Sequence, residues 1–182
     1  YKPEVMQAVL DAGADIINDI WALRQAGARE IIAAHPRSGV CLMHMHQTPQ
    51  TMHLEHMQAD PVAQVRQFLA EQVAWLEQLG VARERITLDY GIGFGKSVEQ
   101  NFALLARQQD LLYLHLPLLA GWSRRGSLGT VTGLPVHERM VPSVTAAVLA
   151  VERGARVVRV HDVADTVAAL KIWNAMHAHD AA

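Results

Sequence analysis

The chain has 182 residues, of which 51% are apolar and 5% aromatic, and its formal net charge is -2. These values are typical of one globular domain with a sizeable core, and the near-neutral charge gives no electrostatic footprint for nucleic acid or an anionic membrane. The single cysteine, Cys41, cannot form a disulfide within the chain and favours a reducing compartment such as the cytoplasm, and no apolar stretch is long enough to span a membrane.

Helical patterns and short apolar runs alternate along the chain. The predicted helices cover residues 2–12, 27–35, 61–79, 98–109, 137–153 and 163–176, and the predicted strands cover 16–20, 40–45, 86–89, 116–121 and 157–160. Pro142 either kinks its helix or marks the first turn of it. Strands separated by helices imply right-handed crossovers and a parallel sheet. The expected fold class is therefore α/β, with the element order (αβ)₅α.

The stretch 88–97 organises the rest of the chain. A predicted strand stops there at a carboxylate, Asp89, and glycines follow at 91, 93 and 95. Glycines permit positive φ and a close approach of the backbone to a ligand. Two nucleotide motifs fail on spacing, because a P-loop needs glycine where Tyr90 stands and a dinucleotide fingerprint needs glycine where Lys96 stands.

Every predicted strand is followed by polar residues. They are Asn18 and Asp19, His44 and His46, Asp89, Ser123 with Arg124 and Arg125, and Arg159 with His161. The carboxyl ends of parallel strands share one edge of a sheet, where barrels and open sheets place ligand sites. Any one of these residues could simply cap the helix that follows. Their joint occurrence favours a site for a heterocycle or an anion.

Five motifs in register resemble the bacterial dihydropteroate synthase family. They are Ile16-Ile17-Asn18-Asp19, Val40-Cys41-Leu42-Met43-His44-Met45, Leu88-Asp89 with Gly91-Ile92-Gly93-Phe94-Gly95-Lys96, Leu118-Leu119 with Gly121 and Ser123-Arg124, and Arg159-Val160-His161-Asp162-Val163. The resemblance implies a TIM (β/α)₈ barrel of the pterin-binding type. It implies that residues 1–182 are the C-terminal part of one such domain, supplying about five strands and lacking the first three.

The activity implied by the resemblance is the condensation of 6-hydroxymethyl-7,8-dihydropterin pyrophosphate with p-aminobenzoate, which releases pyrophosphate. Asn18, Asp89, Arg125 and Arg159 are then expected to bind the pterin, and Asp89, Arg125 and Arg159 to be the catalytic residues. Arg159 and His161 are expected to bind phosphate. A carboxylate suits the amino group and ring N–H of a pterin edge, and a guanidinium can both stack on the ring and reach phosphate.

The expected p-aminobenzoate pocket contains Phe94, Ser123, Arg125 and Gly126, with the substrate carboxylate at the start of a short helix after Arg125. The chain departs from the family pattern here. Arg125 stands where the family has lysine, Gly126 where it has serine, and Tyr90 where it usually has proline. A planar guanidinium is not equivalent to an ammonium, so arginine at 125 should keep the positive charge but change the geometry with which it meets the ligand. Tyr90 is expected to leave the loop less rigid than proline would.

The resemblance further implies Mg²⁺ as cofactor, with its ligand in the expected missing N-terminal part and none in this chain, so the segment alone is expected to be inactive. The expected partners are the two small-molecule substrates and a second copy of the chain in a homodimer, and neither nucleic acid nor a membrane. The expected location is cytoplasmic.

Two alternatives remain at this point. His44-Met45-His46, with His53 and His56 downstream, is compatible with a metal-dependent TIM-barrel hydrolase, since histidines two apart on a strand face the same side. A non-catalytic or methyltransferase-type pterin-binding module is the second alternative.

Overall fold

The computed structural model describes residues 1–52 and 56–179. Its helices are α1 (Pro3–Asp11), α2 (Ala28–Ala34), α3 (Pro61–Gln78), α4 (Val98–Ala106), α5 (Gly126–Thr132), α6 (Met140–Glu152) and α7 (Val163–His177). Its strands are β1 (Ile16–Asp19), β2 (Gly39–Met43), β3 (Ile86–Asp89), β4 (Leu118–Ala120) and β5 (Val157–Val158). None of the helices in these described ranges is long and apolar enough to cross a membrane.

The five strands form one parallel sheet in sequence order, β1-β2-β3-β4-β5. This confirms the predicted alternation of strands and crossover helices. The chain never reverses direction within the sheet, so the carboxyl ends of all five strands lie at one edge. The residues that follow the strands are therefore brought together by topology.

One face of the sheet is covered by helices. Leu42, Leu88 and Leu118 are in register on adjacent strands and are 0%, 1% and 1% exposed. Helix α3 begins at Pro61, where the side chain of Asp60 caps it by accepting the N–H of Val62 at 3.1 Å. Continuous apolar strands are typical of a parallel sheet that is buried against helices.

Several strands end earlier than predicted. The strand expected over 40–45 ends at Met43. The N–H of His44 still donates to O of Asp89, the last residue of β3, at 2.9 Å, and the chain then follows the glycine loop, where the N–H of His46 donates to Phe94 O at 3.3 Å. The helix expected over 137–153 begins at Met140, which places Pro142 in its first turn, where a missing N–H costs nothing.

The Tyr90 side chain lies on the helix-covered side of β3 and is fully buried. Its hydroxyl donates to Oε1 of Gln108 at 2.8 Å and accepts from Nε1 of Trp122 at 3.0 Å. Gln108 in turn donates to the carbonyl oxygens of Ala150 at 2.8 Å and Arg153 at 3.0 Å. These hydrogen bonds anchor Tyr90 to residues distant in sequence and oppose the expected loss of rigidity, which stays a prediction.

We expect Tyr90→Phe to lower the free energy of unfolding by about 1–3 kcal/mol, because it leaves the buried Nε1 of Trp122 without its acceptor and Oε1 of Gln108 without this donor. Urea denaturation measures the change. Tyr113→Phe is the matched control, since that hydroxyl donates to Arg66 O at an exposed position and should contribute less than about 0.5 kcal/mol. Equal effects in the two variants would contradict the role of the buried network.

Candidate active site

Asn18 and Asp89 lie on the face of the sheet opposite the leucine row. Asn18 is in register with Cys41, and Asp89 is in register with Met43, two residues further along the same strand as Cys41. Because alternate residues of a strand point to opposite faces, these four side chains share one face. The two predicted pterin ligands therefore face the same space.

A cavity of about 810 Å³ opens at the carboxyl edge of the sheet. It is lined by Asn18, Ile20, Met43, Asp89, Phe94, Gly121, Ser123, Arg124, Arg125, Val136, Arg159, Val160 and His161. Seven of the eight residues predicted for the site thus line one cavity that is large enough for a drug-sized ligand. The exception is Gly126.

Asp89 is the buried acceptor of this cavity. The residue is 2% exposed, and its Oδ1 accepts the N–H of Gly91 at 2.7 Å. Burial raises the pKa of Asp89 above its ordinary value, and the Gly91 hydrogen bond and the positive charges of Arg159, Lys96 and Arg125 act in the opposite direction. The result is a carboxyl group with free acceptor capacity beside two guanidinium groups.

The buried side chain of Lys96 holds the glycine loop after β3 by hydrogen bonds to three carbonyl oxygens. Its Nζ donates to the carbonyl oxygens of Gly91 at 2.8 Å, and of His44 and Phe94 at 3.3 Å each, and the residue is 6% exposed. Three acceptors match the three hydrogens of an ammonium group. Lys96 therefore joins the loop after β2 to the loop that carries Asp89 and Phe94.

Burial lowers the pKa of Lys96 from 10.5 to about 7, with Asp89 opposing the shift. Between these values the unfolded chain binds more protons at Lys96 than the folded chain, so the contribution of Lys96 to stability rises with pH; below about pH 7 it is constant. We expect the unfolding free energy of the parent protein, minus that of Lys96→Met, to increase between pH 7 and 10 by on the order of 1 kcal/mol per pH unit.

Urea denaturation at several pH values measures this difference. Lys171→Met is the matched control, because Lys171 is exposed on α7 and its variant should change the unfolding free energy by less than about 0.5 kcal/mol. A difference for Lys96→Met that does not change between pH 7 and 10 would contradict the lowered pKa of Lys96.

Arg125 and Phe94 form one wall of the cavity. The guanidinium carbon of Arg125 lies 4.8 Å from the centroid of the Phe94 ring, and its Nε donates to Gly121 O at 3.0 Å. A lysine could make neither a planar stack nor this directed hydrogen bond with the same geometry. The substitution at 125 therefore keeps the positive charge but fixes it against the aromatic ring.

Two pairs of residues tie the loop after β4 to the loop after β5. Oγ of Ser123 lies 2.9 Å from Nδ1 of His161 and accepts the N–H of His161 at 3.1 Å. Nη2 of Arg124 donates to Oδ1 of Asp162 at 2.8 Å. The hydroxyl predicted for the p-aminobenzoate pocket is thus engaged by His161, although Ser123 still lines the cavity.

Gly126 faces a neighbouring cavity of about 570 Å³. That cavity is lined by His56, Gly93, Lys96, Ser97, Val98, Glu99, Asn101, Arg125, Gly126 and Ser127. Arg125 lines both cavities, and Gly126 begins α5, the short helix after it. The residues predicted for the p-aminobenzoate pocket are therefore divided between two adjoining spaces with Arg125 between them.

The histidines after β2 are placed differently from a metal site. His44 is 5% exposed, its ring packs edge-on against Phe68 with centroids 5.0 Å apart, and burial lowers its pKa well below the ordinary value. Within residues 1–52 and 56–179, no group of three or more His, Cys, Asp or Glu side chains is arranged to hold a metal ion. His53, which completes the hydrolase pattern, lies outside the described residues.

Six of the residues that line the cavity were not predicted from the sequence as site residues, and Met43 and Gly121 are two of them. Met43 lies beside Asp89 in the sheet, and Gly121 follows β4, where a Cβ would come within 3.1 Å of Nη2 of Arg159. Strand alternation alone places Met43 on the Asp89 face once the register is known. The close approach of Arg159 to the backbone at Gly121 joins residues 38 positions apart, which no local pattern reveals.

Comparison with known proteins shows one consistent likeness. A family model described as "Pterin binding enzyme" matches residues 1–161. The chain is 42% identical over 174 residues to dihydropteroate synthase of Escherichia coli strain K12, an alignment that covers 96% of this chain and 61% of that protein. The chain therefore spans less than two thirds of the length of that relative.

Solved structures agree with the sequence match. Dihydropteroate synthase from Stenotrophomonas maltophilia with active-site-bound imidazole superposes with a TM-score of 0.95 at 48% identity, covering 98% of this chain and 68% of that one. The Burkholderia cenocepacia enzyme complexed with 7,8-dihydropteroate superposes with a TM-score of 0.92 at 52% identity, covering 98% and 66%. These matches confirm the predicted barrel fold, of which the chain covers a part.

Proposed function

The chain belongs to the pterin-binding enzyme family, and from this premise we propose that it carries the pterin and phosphate sites of a dihydropteroate synthase. The observation that supports this most is the convergence of Asn18, Asp89, Arg159 and His161 on one cavity. The buried carboxylate of Asp89 can accept hydrogen bonds from a flat, nitrogen-rich ring. The guanidinium of Arg159 and the imidazole of His161 can donate hydrogen bonds to a phosphate ester on that ring. The Burkholderia cenocepacia relative was solved in complex with 7,8-dihydropteroate, the product of that reaction.

In the proposed complex the pterin edge lies against Asp89 and Asn18. The carboxylate accepts from the 2-amino group and the adjacent ring N–H, and the amide of Asn18 both donates and accepts. Since Asp89 is buried and already held by the Gly91 N–H, it needs no reorganisation when the ring binds. Arg159 stacks on the ring and, with His161, holds the pyrophosphate.

The reaction is a substitution at the pterin methylene carbon. The bond from that carbon to the pyrophosphate oxygen breaks and its electron pair leaves with the oxygen. The amine nitrogen of p-aminobenzoate forms the new bond to carbon with its lone pair and then loses a proton to water. Arg159 and His161 stabilise the charge that develops on the leaving group. Phe94 and Arg125 orient the aromatic amine towards the carbon, so the rate comes from positioning and charge stabilisation rather than from a side-chain nucleophile.

Magnesium is part of the proposal for the whole protein. When bound it would neutralise charge on the pyrophosphate. In the part of the chain that the structure describes, however, no three carboxylate, imidazole or thiol groups gather in a way that fits a metal ion. We therefore assign no step of the reaction to a metal held by these residues.

We also propose that residues 1–182 form part of a single barrel domain, that the protein is a homodimer and that it acts in the cytoplasm. The dimer proposal is supported by the apolar side chains that α7 leaves exposed, which are Val163, Val167, Ile172 and Met176. The location is supported by the buried free thiol of Cys41, since unpaired cysteines are typical of reducing compartments.

The full gene product tests the proposal. Given 6-hydroxymethyl-7,8-dihydropterin pyrophosphate, p-aminobenzoate and Mg²⁺, it should release pyrophosphate and form 7,8-dihydropteroate in equal amounts, and omission of p-aminobenzoate should abolish both. Calorimetry separates the alternative: a synthase should bind p-aminobenzoate only when pterin and pyrophosphate are present. Pterin binding without turnover or p-aminobenzoate binding would indicate a pterin-binding module instead.

A further inference from the structure

The contact between Ser123 and His161 determines which nitrogen of the imidazole carries the proton. The Ser123 hydroxyl has one hydrogen and two lone pairs, and the backbone N–H of His161 occupies one lone pair at 3.1 Å. The same oxygen lies 2.9 Å from Nδ1 of His161. Two hydrogen-bond arrangements fit this 2.9 Å distance: either the Ser123 hydroxyl donates to Nδ1, or Nδ1–H donates to Oγ of Ser123.

Burial distinguishes the two arrangements. Ser123 is 6% exposed, and the residues that the structure describes offer its hydroxyl hydrogen no acceptor other than Nδ1. If Nδ1–H donated to Oγ, the hydroxyl hydrogen would have no acceptor in the protein and, with Ser123 only 6% exposed, would be poorly solvated, which costs up to about 1–3 kcal/mol. If the hydroxyl donates to Nδ1, every polar atom of the pair is satisfied. The neutral imidazole then carries its proton on Nε2.

The pair is held in place from both sides. Arg124, the residue after Ser123, has φ of 59° and forms the ion pair with Asp162, the residue after His161. The backbone N–H of Arg124 also donates to Oγ of Ser143 on α6 at 2.9 Å. These contacts hold the backbone on both sides of the pair, and His161 lines the same cavity as Arg159.

We propose that Ser123 is a positioning residue, which holds the imidazole of His161 in the Nε2–H tautomer so that it donates this hydrogen to an oxygen of the pyrophosphate group. The inference rests on the proposed function for the identity of the anion. It also gives the Ser123 hydroxyl a role different from binding p-aminobenzoate. Ser123 acts through His161 and does not itself contact the anion.

The tautomer can be read directly in the full gene product. Long-range ¹H–¹⁵N spectra distinguish a protonated from an unprotonated ring nitrogen, and His161→Gln identifies the signals of His161 by their loss. We expect an unprotonated Nδ1 and a protonated Nε2 in the neutral ring. In Ser123→Ala the Nδ1–H form should become populated, and Ser123→Thr, which keeps the hydroxyl, should restore the parent pattern.

Pyrophosphate is the binding probe, measured by calorimetry on the same proteins. Ser123→Ala should weaken its affinity about five- to tenfold, the effect of losing one oriented hydrogen bond, whereas Ser123→Thr should restore it. Ser38→Ala is the matched control, because Ser38 is also buried but lies at the opposite end of the sheet, before β2. The affinity of this variant for pyrophosphate should match that of the parent.

A dominant Nδ1–H tautomer in the parent protein would overturn the inference. So would a Ser123→Ala variant with unchanged tautomer or unchanged pyrophosphate affinity, or a parent protein that does not bind pyrophosphate. The failure of the proposed function looks different: pyrophosphate binding and the tautomer would respond to Ser123 as expected, but no dihydropteroate would form from the two substrates.

Discussion

Asp89→Asn should lower kcat/KM by about 100- to 1,000-fold and weaken pterin binding, while the protein stays folded. Asparagine has the same shape and can keep the Gly91 N–H through its own oxygen. Its NH₂ group, however, presents donors to the donors of the pterin edge. The loss of about two charge-assisted hydrogen bonds, each contributing about 1.5–2 kcal/mol at the lower end of the usual range, gives this magnitude.

The same variant should be at least as stable as the parent protein, although its activity falls. Burial raises the pKa of Asp89, so the folded state binds protons at this carboxyl more tightly than the unfolded state does. Stability from this group is therefore lost as pH rises above the ordinary pKa, and the ionised carboxylate is unfavourable to folding at neutral pH. Asp89→Asn removes the free-energy cost of burying this ionised carboxylate, so the unfolding free energy of the variant at pH 7 should equal or exceed that of the parent.

Asp19→Asn is the matched control for both measurements. Asp19 is also a buried carboxylate at the end of a strand, but it lies on the helix-covered face and accepts the N–H groups of Trp21 at 3.1 Å and Leu23 at 2.8 Å. Its variant should lose about 1 kcal/mol of stability and keep its pterin affinity. Should Asp89→Asn bind pterin and turn over within a few-fold of the parent, the assigned role of Asp89 is wrong.

Gly91→Ala should destabilise the protein by about 3 kcal/mol or more, and activity should fall with it. Gly91 has φ of 67°, and a Cβ there would lie 1.9 Å from the carbonyl oxygen of His44. That oxygen belongs to the backbone and also accepts a hydrogen bond from Nζ of Lys96, so moving it would break this hydrogen bond. The shift would also displace the Gly91 N–H from Asp89.

Two other glycines provide graded controls in urea denaturation. Gly93 has φ of 79°, but a Cβ there would meet only the Arg125 side chain at 3.5 Å, so Gly93→Ala should cost the backbone strain alone, about 1–2 kcal/mol. Gly126 has no neighbour within 4 Å of a Cβ, and Gly126→Ala should be neutral or slightly stabilising. Comparable losses at 91 and 126 would refute the close-approach argument.

Much of the fold could be predicted from local patterns. Strand β3 begins and ends where the apolar run ending at Asp89 predicts, and the helix-strand alternation correctly implies a parallel sheet. The errors lie at the ends of elements, such as β2, which begins one residue and ends two residues earlier than predicted. Hydrophobic runs report burial, and the residues after Met43 stay buried after they have left the sheet.

The sequence by itself determined that a carboxylate, an amide, guanidinium groups and an imidazole follow parallel strands, because residue type and strand order are local properties and topology brings strand ends to one edge. Only the tertiary structure decided what each group contacts there. Lys96, Tyr90 and Ser123 each have a partner that is distant in sequence: His44 lies 52 residues from Lys96, Trp122 lies 32 residues from Tyr90, and His161 lies 38 residues from Ser123. Such contacts depend on how crossover helices pack, and a hydrogen bond needs its partner placed to within a few tenths of an ångström, which no periodicity along the chain encodes.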